Sequence, residues 1–146
     1  IDFEDFRMII NITEYLGINL EAERWICRRC GHDLGDARGN YKEGLLVYDR
    51  DPTEIHKPLI DNQKYEYTFS PDPSWTALLE YYCPNCGTMM ETEYTVPGHP
   101  PTRDIELDID SLKIKAAQWA RDNGGDIPSP ESLHRPRFKR KVHTHG

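Results

Sequence analysis

The 146-residue sequence lacks most of the motifs that identify enzymes and membrane proteins. It contains no G-x-x-x-x-G-K-[ST] or G-x-G-x-x-G phosphate loop and no G-x-S-x-G nucleophile elbow. No hydrophobic run approaches the length of a membrane span, and the first residues lack the basic and apolar regions of a signal peptide. These absences argue against nucleotide chemistry, serine hydrolysis, membrane insertion and export.

Apolar residues are also scarce, at 37% of the sequence, whereas 11 prolines and 10 glycines imply many turns and long loops. Such a chain suits one domain with a modest core, and we expect it to depend on a metal or a partner for its fold. The net charge is -7, but residues 135–146 hold five basic residues and no acid, so removing that +5 leaves -12 on residues 1–134. The body should therefore repel nucleic acid.

Only four cysteines are present, and they form two C-x-x-C-G units, at residues 27–31 (the first knuckle) and 83–87 (the second knuckle). Two such units brought together supply the four thiolates that structural zinc prefers. Each final glycine suits a turn with positive φ that points N–H groups at sulfur. Four protein ligands leave no position for water or substrate, so we expect a structural Zn²⁺ ion. Its predicted ligands are Cys27, Cys30, Cys83 and Cys86.

Other uses of the four cysteines fit the sequence less well. A C-x-x-C pair can be a thioredoxin-like redox centre, but that motif opens a helix in a βαβ unit, and strand-like sequence precedes both knuckles here. A secreted disulfide scaffold of this size would be richer in cysteine. A redox-active iron site formed by the same four thiolates remains an alternative, and its visible absorption would distinguish it from zinc. Thiols kept for a metal, without an export signal, predict a cytoplasmic protein.

The pattern along the chain predicts a mostly β fold with short helices. We expect a zinc-ribbon-like domain with two knuckles, an inserted β region between them and extended terminal arms. Steps of three and four between apolar residues predict a helix over residues 1–15. The predicted division is an N-terminal helical arm (1–16), a zinc-ribbon-like domain with a C-terminal helix (17–126) and an extended basic tail (127–146).

Within the middle part, alternation and turn residues predict the strands. Residues 35–44 are predicted as a loop, and residues 105–109 as an extended edge segment. Asp51 and Pro52 predict the start of a short helix, and Asp110 or Ser111 the cap of a helix reaching about residue 123. Trp75 is predicted as an anchor for the core or for an interface. The predicted strands are residues 18–20, 25–27, 45–48, 65–69 and a hairpin formed by 78–82 and 88–96.

The knuckles and their surroundings resemble the small zinc-binding subunit of the ATP-dependent ketone carboxylases, the family of the acetone carboxylase gamma subunit and of acetophenone carboxylase. The resemblance is carried by W-I-C at residues 25–27, C-G-H-D at 30–33, P-S-W at 73–75 and E-Y-Y-C-P-N-C-G-T at 80–88. It covers roughly residues 18–112 and leaves out the N-terminal segment and the basic tail. Those two differences favour the aromatic-ketone branch of the family.

The resemblance implies a function that the residues alone do not give. Enzymes of this family carboxylate a ketone with ATP and bicarbonate, without biotin. Their large, hydantoinase-like subunits carry the chemistry, and the small subunit carries zinc and serves assembly. The resemblance implies that the four cysteines are zinc ligands, and no catalytic residue transfers. The other open function is a nucleic-acid-binding zinc ribbon acting through residues 135–146, which the acidic body makes unfavourable.

Overall fold

The computed structural model describes residues 9–58 and 63–122, and it consists of two antiparallel sheets with few helices. The described strands are β1 (Ile9–Asn11), β2 (Leu16–Asn19), β3 (Arg24–Cys27), β4 (Asp33–Asp36), β5 (Leu46–Arg50), β6 (Ala77–Tyr82) and β7 (Met89–Thr95). The first sheet has the order β1-β2-β3-β4, and the second has the order β5-β6-β7. The mostly β, zinc-ribbon-like fold is confirmed.

The two knuckles lie at the tips of two hairpins. Strands β3 and β4 flank the first knuckle, and β6 and β7 flank the second. Both hairpins have a register shift within the strand pair, between Trp25 and Ile26 in one and between Tyr81 and Tyr82 in the other. The extra residue is Leu34 on β4 and Met90 on β7, so in each hairpin the bulge lies on the strand that leaves the knuckle and bends that strand. The predicted hairpin with a knuckle at its tip is therefore confirmed.

In the part of the chain that the structure describes, three helical segments connect and cover the sheets: a 3₁₀ turn (Tyr41–Gly44), α1 (Pro52–Ile55) and α2 (Ile109–Asp122). As predicted, Asp51 caps α1, since its carboxylate accepts a hydrogen bond from the Thr53 N–H at 2.9 Å. Helix α2 begins earlier than predicted, because the Asp108 carboxylate accepts from the Ser111 N–H at 3.0 Å. The cap is therefore Asp108 rather than Asp110 or Ser111. No described helix is long and apolar enough to cross a membrane.

A single buried cluster joins both sheets to α2. Trp25 is fully buried at its centre, and its indole N–H donates to the Gly39 carbonyl at 3.0 Å. The Tyr41 ring meets Trp25 edge-on, with ring centroids 5.6 Å apart. Burying one such large side chain stabilises the fold by about 1.5–3 kcal/mol. The remaining members of the cluster are Leu16, Ile18, Leu20, Cys27, Leu34, Ala37, Leu45, Tyr81, Cys83, Ile109 and Ala116.

A charged cluster lies beside this core. The Lys42 ammonium, only 1% exposed, lies 2.8 Å from a carboxylate oxygen of Glu93 and 3.6 Å from one of Asp104. The Tyr81 hydroxyl donates to Glu93 at 2.7 Å, and the Tyr41 hydroxyl donates to Asp104 at 3.3 Å. These five residues, here the Lys42 cluster, link the 3₁₀ turn to β6, β7 and the segment before α2. A buried ion pair needs such added hydrogen bonds to offset its desolvation.

The predicted helix over residues 1–15 is wrong within the described part of the chain. Residues 9–11 form β1, which pairs with β2 in the register Ile9↔Asn19, Ile10↔Ile18. β-branched isoleucines favour an extended chain when a partner strand is present. Residues 1–8 lie outside the described residues, as does the predicted basic tail. The three-part division of the chain stays a prediction.

Three further segments differ from prediction. The predicted loop over residues 35–44 contains the end of β4 and the 3₁₀ turn. The predicted strand over residues 65–69 has no strand partner among the described residues, and Tyr67 and Phe69 are strongly exposed. Residues 105–109 form no strand either, although Ile105 and Leu107 pack against the core. The alternation of apolar and acidic residues correctly predicted that Ile105 and Leu107 face the core. A strand needs in addition a neighbouring strand whose backbone N–H and C=O groups are free to pair with it.

Candidate metal centre

Each knuckle is closed by the same pair of backbone hydrogen bonds. In the first knuckle, the Gly31 N–H donates to the Cys27 carbonyl at 2.7 Å, and the Cys27 N–H donates to the His32 carbonyl at 2.9 Å. In the second, the Gly87 N–H donates to the Cys83 carbonyl at 2.9 Å, and the Cys83 N–H donates to the Thr88 carbonyl at 2.9 Å. His32 therefore serves this turn through its backbone.

The turn geometry explains the glycine in each motif. Gly31 has a φ of 77° and Gly87 a φ of 72°, in the left-handed region where other residues are strained. Nothing lies within 4 Å of where a Cβ would stand at either glycine, so backbone conformation rather than space selects this residue. The two knuckles are thus equivalent in sequence, conformation and hydrogen bonding.

The fold brings the four cysteine sulfur atoms together, all within 4.8 Å of one another. Two contacts join one knuckle to the other: the Sγ atoms of Cys27 and Cys86 lie 3.7 Å apart, and so do those of Cys30 and Cys83. Zinc–sulfur bonds of about 2.3 Å in a tetrahedron place sulfur atoms about 3.8 Å apart. The spacing and the donor type therefore fit one tetrahedral metal ion.

Burial divides the four cysteines into two pairs. Cys27 and Cys83, the first cysteine of each knuckle, are buried in the core, whereas Cys30 and Cys86 are exposed. The metal centre is therefore half embedded in the protein and half open at the surface. Four cysteine ligands would close the coordination sphere of the ion, which is the arrangement of structural rather than catalytic sites.

The electrostatic surroundings of the thiols follow the same division. Burial raises the pKa of Cys27 to about 12, and burial also raises the pKa of Cys83. The hydrogen bond with the Thr88 side chain lowers the pKa of Cys86 to about 6, and Cys86 Sγ lies 3.1 Å from Thr88 Oγ1. Burial opposes ionisation of Cys30, but hydrogen bonds led by one from the Asn85 side chain lower its pKa. A divalent cation supplies the charge that the buried pair needs to ionise.

Within residues 9–58 and 63–122, no other group of three or more His, Cys, Asp or Glu side chains brings its ligand atoms as close together as these four cysteines do. Acidic residues also alternate along the chain at positions 104, 106, 108 and 110, but their carboxylates do not form a metal-binding group. Asp104 belongs to the Lys42 cluster, Asp108 caps α2, and Asp110 lies 2.8 Å from Arg38. Each of these three carboxylates already has a partner within the protein, so none of them needs a bound cation to explain its position.

Trp75 is 76% exposed and is therefore not a core anchor. Its interface role stays a prediction.

Two features of the structure leave no recognisable signal in the sequence. One is the Lys42 cluster, since a lysine in a Gly-rich stretch gives no sign of burial. The other is a surface groove of about 860 Å³ between β5 and the second knuckle. The sequence predicts the strand that contains Leu46, Val47 and Tyr48, but it does not show that this strand lies at the edge of a sheet.

Comparisons with known proteins agree with the geometry. The model of the acetone carboxylase gamma subunit family matches residues 1–119. The acetophenone carboxylase beta subunit of Aromatoleum aromaticum is 53% identical over 106 residues, which are 73% of this chain and 80% of that protein. The acetone carboxylase gamma subunit of Xanthobacter autotrophicus is 33% identical over 92 residues, which are 62% of this chain and 52% of that protein.

The comparisons confirm the resemblance that the knuckle sequences predicted and correct its extent. We expected similarity over residues 18–112, with the N-terminal segment outside it. The family match begins at residue 1, so the N-terminal segment lies within the shared region. The end of the match at residue 119 leaves the basic tail outside, as expected.

Proposed function

Since this chain belongs to the acetone carboxylase gamma subunit family, we propose that it is the structural zinc-binding subunit of an ATP-dependent, biotin-independent ketone carboxylase of the acetophenone or acetone type. In this role it holds an assembly of larger, hydantoinase-like catalytic subunits and carries no catalytic residue itself. Its one zinc ion is bound by Cys27, Cys30, Cys83 and Cys86. The four thiols stay reduced in the cytoplasm, where the enzyme works.

The observation that carries this proposal is the closed set of four sulfur atoms at the tips of two hairpins. An ion there would join two sheets that are far apart in sequence and would leave no position for a substrate. The named relatives are subunits of carboxylases, which supports a role beside other chains. The higher identity to the acetophenone carboxylase subunit favours the aromatic-ketone branch.

A nucleic-acid-binding role finds no support in the described residues. It would rest on residues 135–146, and the body that those residues would have to bring to nucleic acid is acidic. We therefore keep the carboxylase subunit as the single proposal.

The test is purification of the tagged chain from its native source. We expect it to co-purify with larger subunits that mass spectrometry identifies as ketone carboxylase chains, with one zinc per chain and with ketone-dependent ATP hydrolysis. A solitary monomer without such activity would contradict the proposal. An iron centre would absorb visible light, whereas a zinc centre is colourless, so the absorption spectrum identifies the metal class.

Loss of one ligand should disrupt the complex. In Cys83→Ser, the ion loses a buried thiolate and the two hairpins lose their link through the metal, so we expect zinc below one tenth per chain and loss of the larger subunits. Thr92→Ser on β7 is the control, because Thr92 is exposed and lies outside the metal centre. An active, intact complex formed by Cys83→Ser would show that the zinc has no structural role.

A further inference from the structure

Strand β5 lies at the edge of its sheet and exposes apolar side chains on both faces. Within residues 9–58 and 63–122 it pairs with β6 only, in the register Leu46↔Tyr82 to Arg50↔Leu78. Leu46, Val47 and Tyr48 are 58%, 48% and 49% exposed. Edge strands of soluble proteins are usually protected by charge, proline or a covering segment, because their free backbone groups accept another strand. Three consecutive exposed apolar residues make this edge suitable for a partner.

One face of β5 continues into the groove beside the metal centre. Leu46 and Tyr48 face the same side as Tyr82 and Glu80, their partners on β6. Pro84 and Cys86 of the second knuckle form the far wall of the groove. Across the sheet, Met89 lies opposite Tyr82 and is 45% exposed, so the apolar surface extends over three strands. A segment that pairs with β5 could place side chains in this groove.

The charges along β5 indicate what kind of segment can pair with its free edge. Arg50 is already matched, with Glu80 and Glu54 each 2.8 Å from its guanidinium. Asp49 lies on the face of β5 opposite to Leu46 and Tyr48, since side chains alternate along a strand. It is exposed, and no basic side chain among the described residues forms an ion pair with it. A zinc ion held by four thiolates would add a net charge of about -2 at the groove wall. The edge is thus apolar on the groove face and carries an acid on the other face, which complements an extended segment whose apolar side chains alternate with lysine or arginine.

We infer that β5 and its groove receive an extended segment of a larger carboxylase subunit, which adds a strand to the free edge of β5. Its apolar side chains enter the groove, and at least one basic side chain lies near Asp49. Strand addition of this kind draws affinity from backbone hydrogen bonds and specificity from side-chain pockets. The inference rests on the proposed function, because that function supplies the partner, but it assigns the surface that the partner uses.

The first test compares two variants of the tagged full-length chain in the native complex. Leu46→Asp places a charge in the groove, and we expect at least a tenfold loss of the co-purified larger subunits. Ile114→Asp on α2 is the matched control, since Ile114 is 66% exposed and lies on another element. Zinc content and the far-ultraviolet circular dichroism of each variant chain show that the fold is kept.

The second test identifies the occupant. A photo-crosslinking phenylalanine analogue in place of Tyr48 should link to a larger subunit, within an apolar peptide that contains lysine or arginine. The same analogue in place of Ile114 should give no such product. Asp49→Lys should weaken retention of the larger subunits, and the loss should shrink as salt screens the repulsion.

The outcomes separate this inference from the proposed function. If the wild-type chain co-purifies with the larger subunits and Leu46→Asp does so equally well, the surface assignment is overturned and the proposed function stands. A crosslink from position 48 to a second copy of this chain also overturns it. If the wild-type chain brings down no carboxylase subunit, the proposed function itself fails.

Discussion

Gly44 has a steric constraint that no sequence pattern reveals. It ends the 3₁₀ turn, and its Cα lies close to the backbone of Leu34 in β4. A Cβ at this position would lie 1.9 Å from the carbonyl oxygen of Leu34 and 2.6 Å from its carbonyl carbon. Because both atoms belong to the backbone of a strand, neither can rotate away as a side chain would. Only glycine fits without shifting the turn that positions Lys42.

Gly44→Ala should therefore lower the free energy of unfolding by about 1–3 kcal/mol, as overpacking in a core does. Gly39→Ala is the matched control, because the nearest atom to its added Cβ is 3.4 Å away, and its effect should stay within about 0.5 kcal/mol. Urea unfolding followed by circular dichroism measures both values. Equal stability of the two variants would show that the turn moves freely over β4.

Single residues differ in how far the sequence predicts them. The cysteines and the glycines after them are predictable because metal ligation and positive φ each restrict residue type at fixed spacing. Lys42 and Gly44 are not, because their constraints come from β4, β7 and the segment before α2, which are distant in the chain. The fold, rather than the local sequence, determines what those positions tolerate.

At the scale of elements, the Lys42 cluster holds the 3₁₀ turn against the second hairpin. Burial opposes ionisation of Glu93, but hydrogen bonds from Lys42 and Tyr81 lower its pKa below the usual value. A lowered pKa stabilises the fold at any pH above the unfolded value of about 4.3. That contribution is lost as the pH falls through the folded pKa, so the cluster supports the fold at neutral pH and weakens only in acid.

Lys42→Met should remove this support. It leaves two carboxylates without their buried cation, which we expect to lower the free energy of unfolding by about 3–5 kcal/mol at pH 7. The difference from the wild type should shrink as the pH falls from 7 to 4, because a buried Glu93 carboxylate without its cation takes up a proton more readily than one paired with Lys42. Urea unfolding at pH 7 and pH 4 measures it.

Two variants serve as controls for the Lys42 prediction. Lys113→Met removes a surface lysine whose ammonium lies 3.6 Å from Glu23, and its effect should stay within about 1 kcal/mol. Adding Glu93→Gln to Lys42→Met should restore part of the lost stability, because a neutral amide needs no buried cation. If Lys42→Met and Lys113→Met were equally stable, the cluster would contribute nothing to the fold.

Elements were predictable where local sequence decides them. The β6–β7 hairpin, α1 and α2 follow from alternation, caps and glycine positions. The helix predicted over residues 1–15 failed because apolar spacing of three and four also suits isoleucines in a strand, and only pairing with β2 settles the choice. The strand predicted over residues 65–69 was wrong because a partner is absent there among the described residues. An alternating aromatic pattern suits a strand, but no strand forms unless a neighbouring sheet edge is free to pair with it.

At the scale of the whole molecule, two connections hold the sheets together: the shared core with the Lys42 cluster, and the four cysteines. The sequence predicted the second connection from motif spacing, but it did not predict the first, because the packing of one sheet on the other depends on contacts between distant segments. Cys27 and Cys83 belong to both connections, since they are buried in the same cluster as Trp25 and Tyr81. Loss of the metal should therefore weaken the packing of the core and lower the stability of the fold.

Removal of the metal by a chelator under reducing conditions should lower the thermal midpoint of the wild-type chain, and added Zn²⁺ should restore it. The reason is that binding free energy at a structural site is folding free energy, so four unliganded thiols no longer offset the entropy of ordering two knuckles. Cys83→Ser is the control, because a chain that binds no zinc should show the same midpoint with and without chelator. An unchanged wild-type midpoint after complete removal, verified by metal analysis, would mean that the shared core and the Lys42 cluster alone set the stability, and that the metal only orders the surface offered to partner subunits.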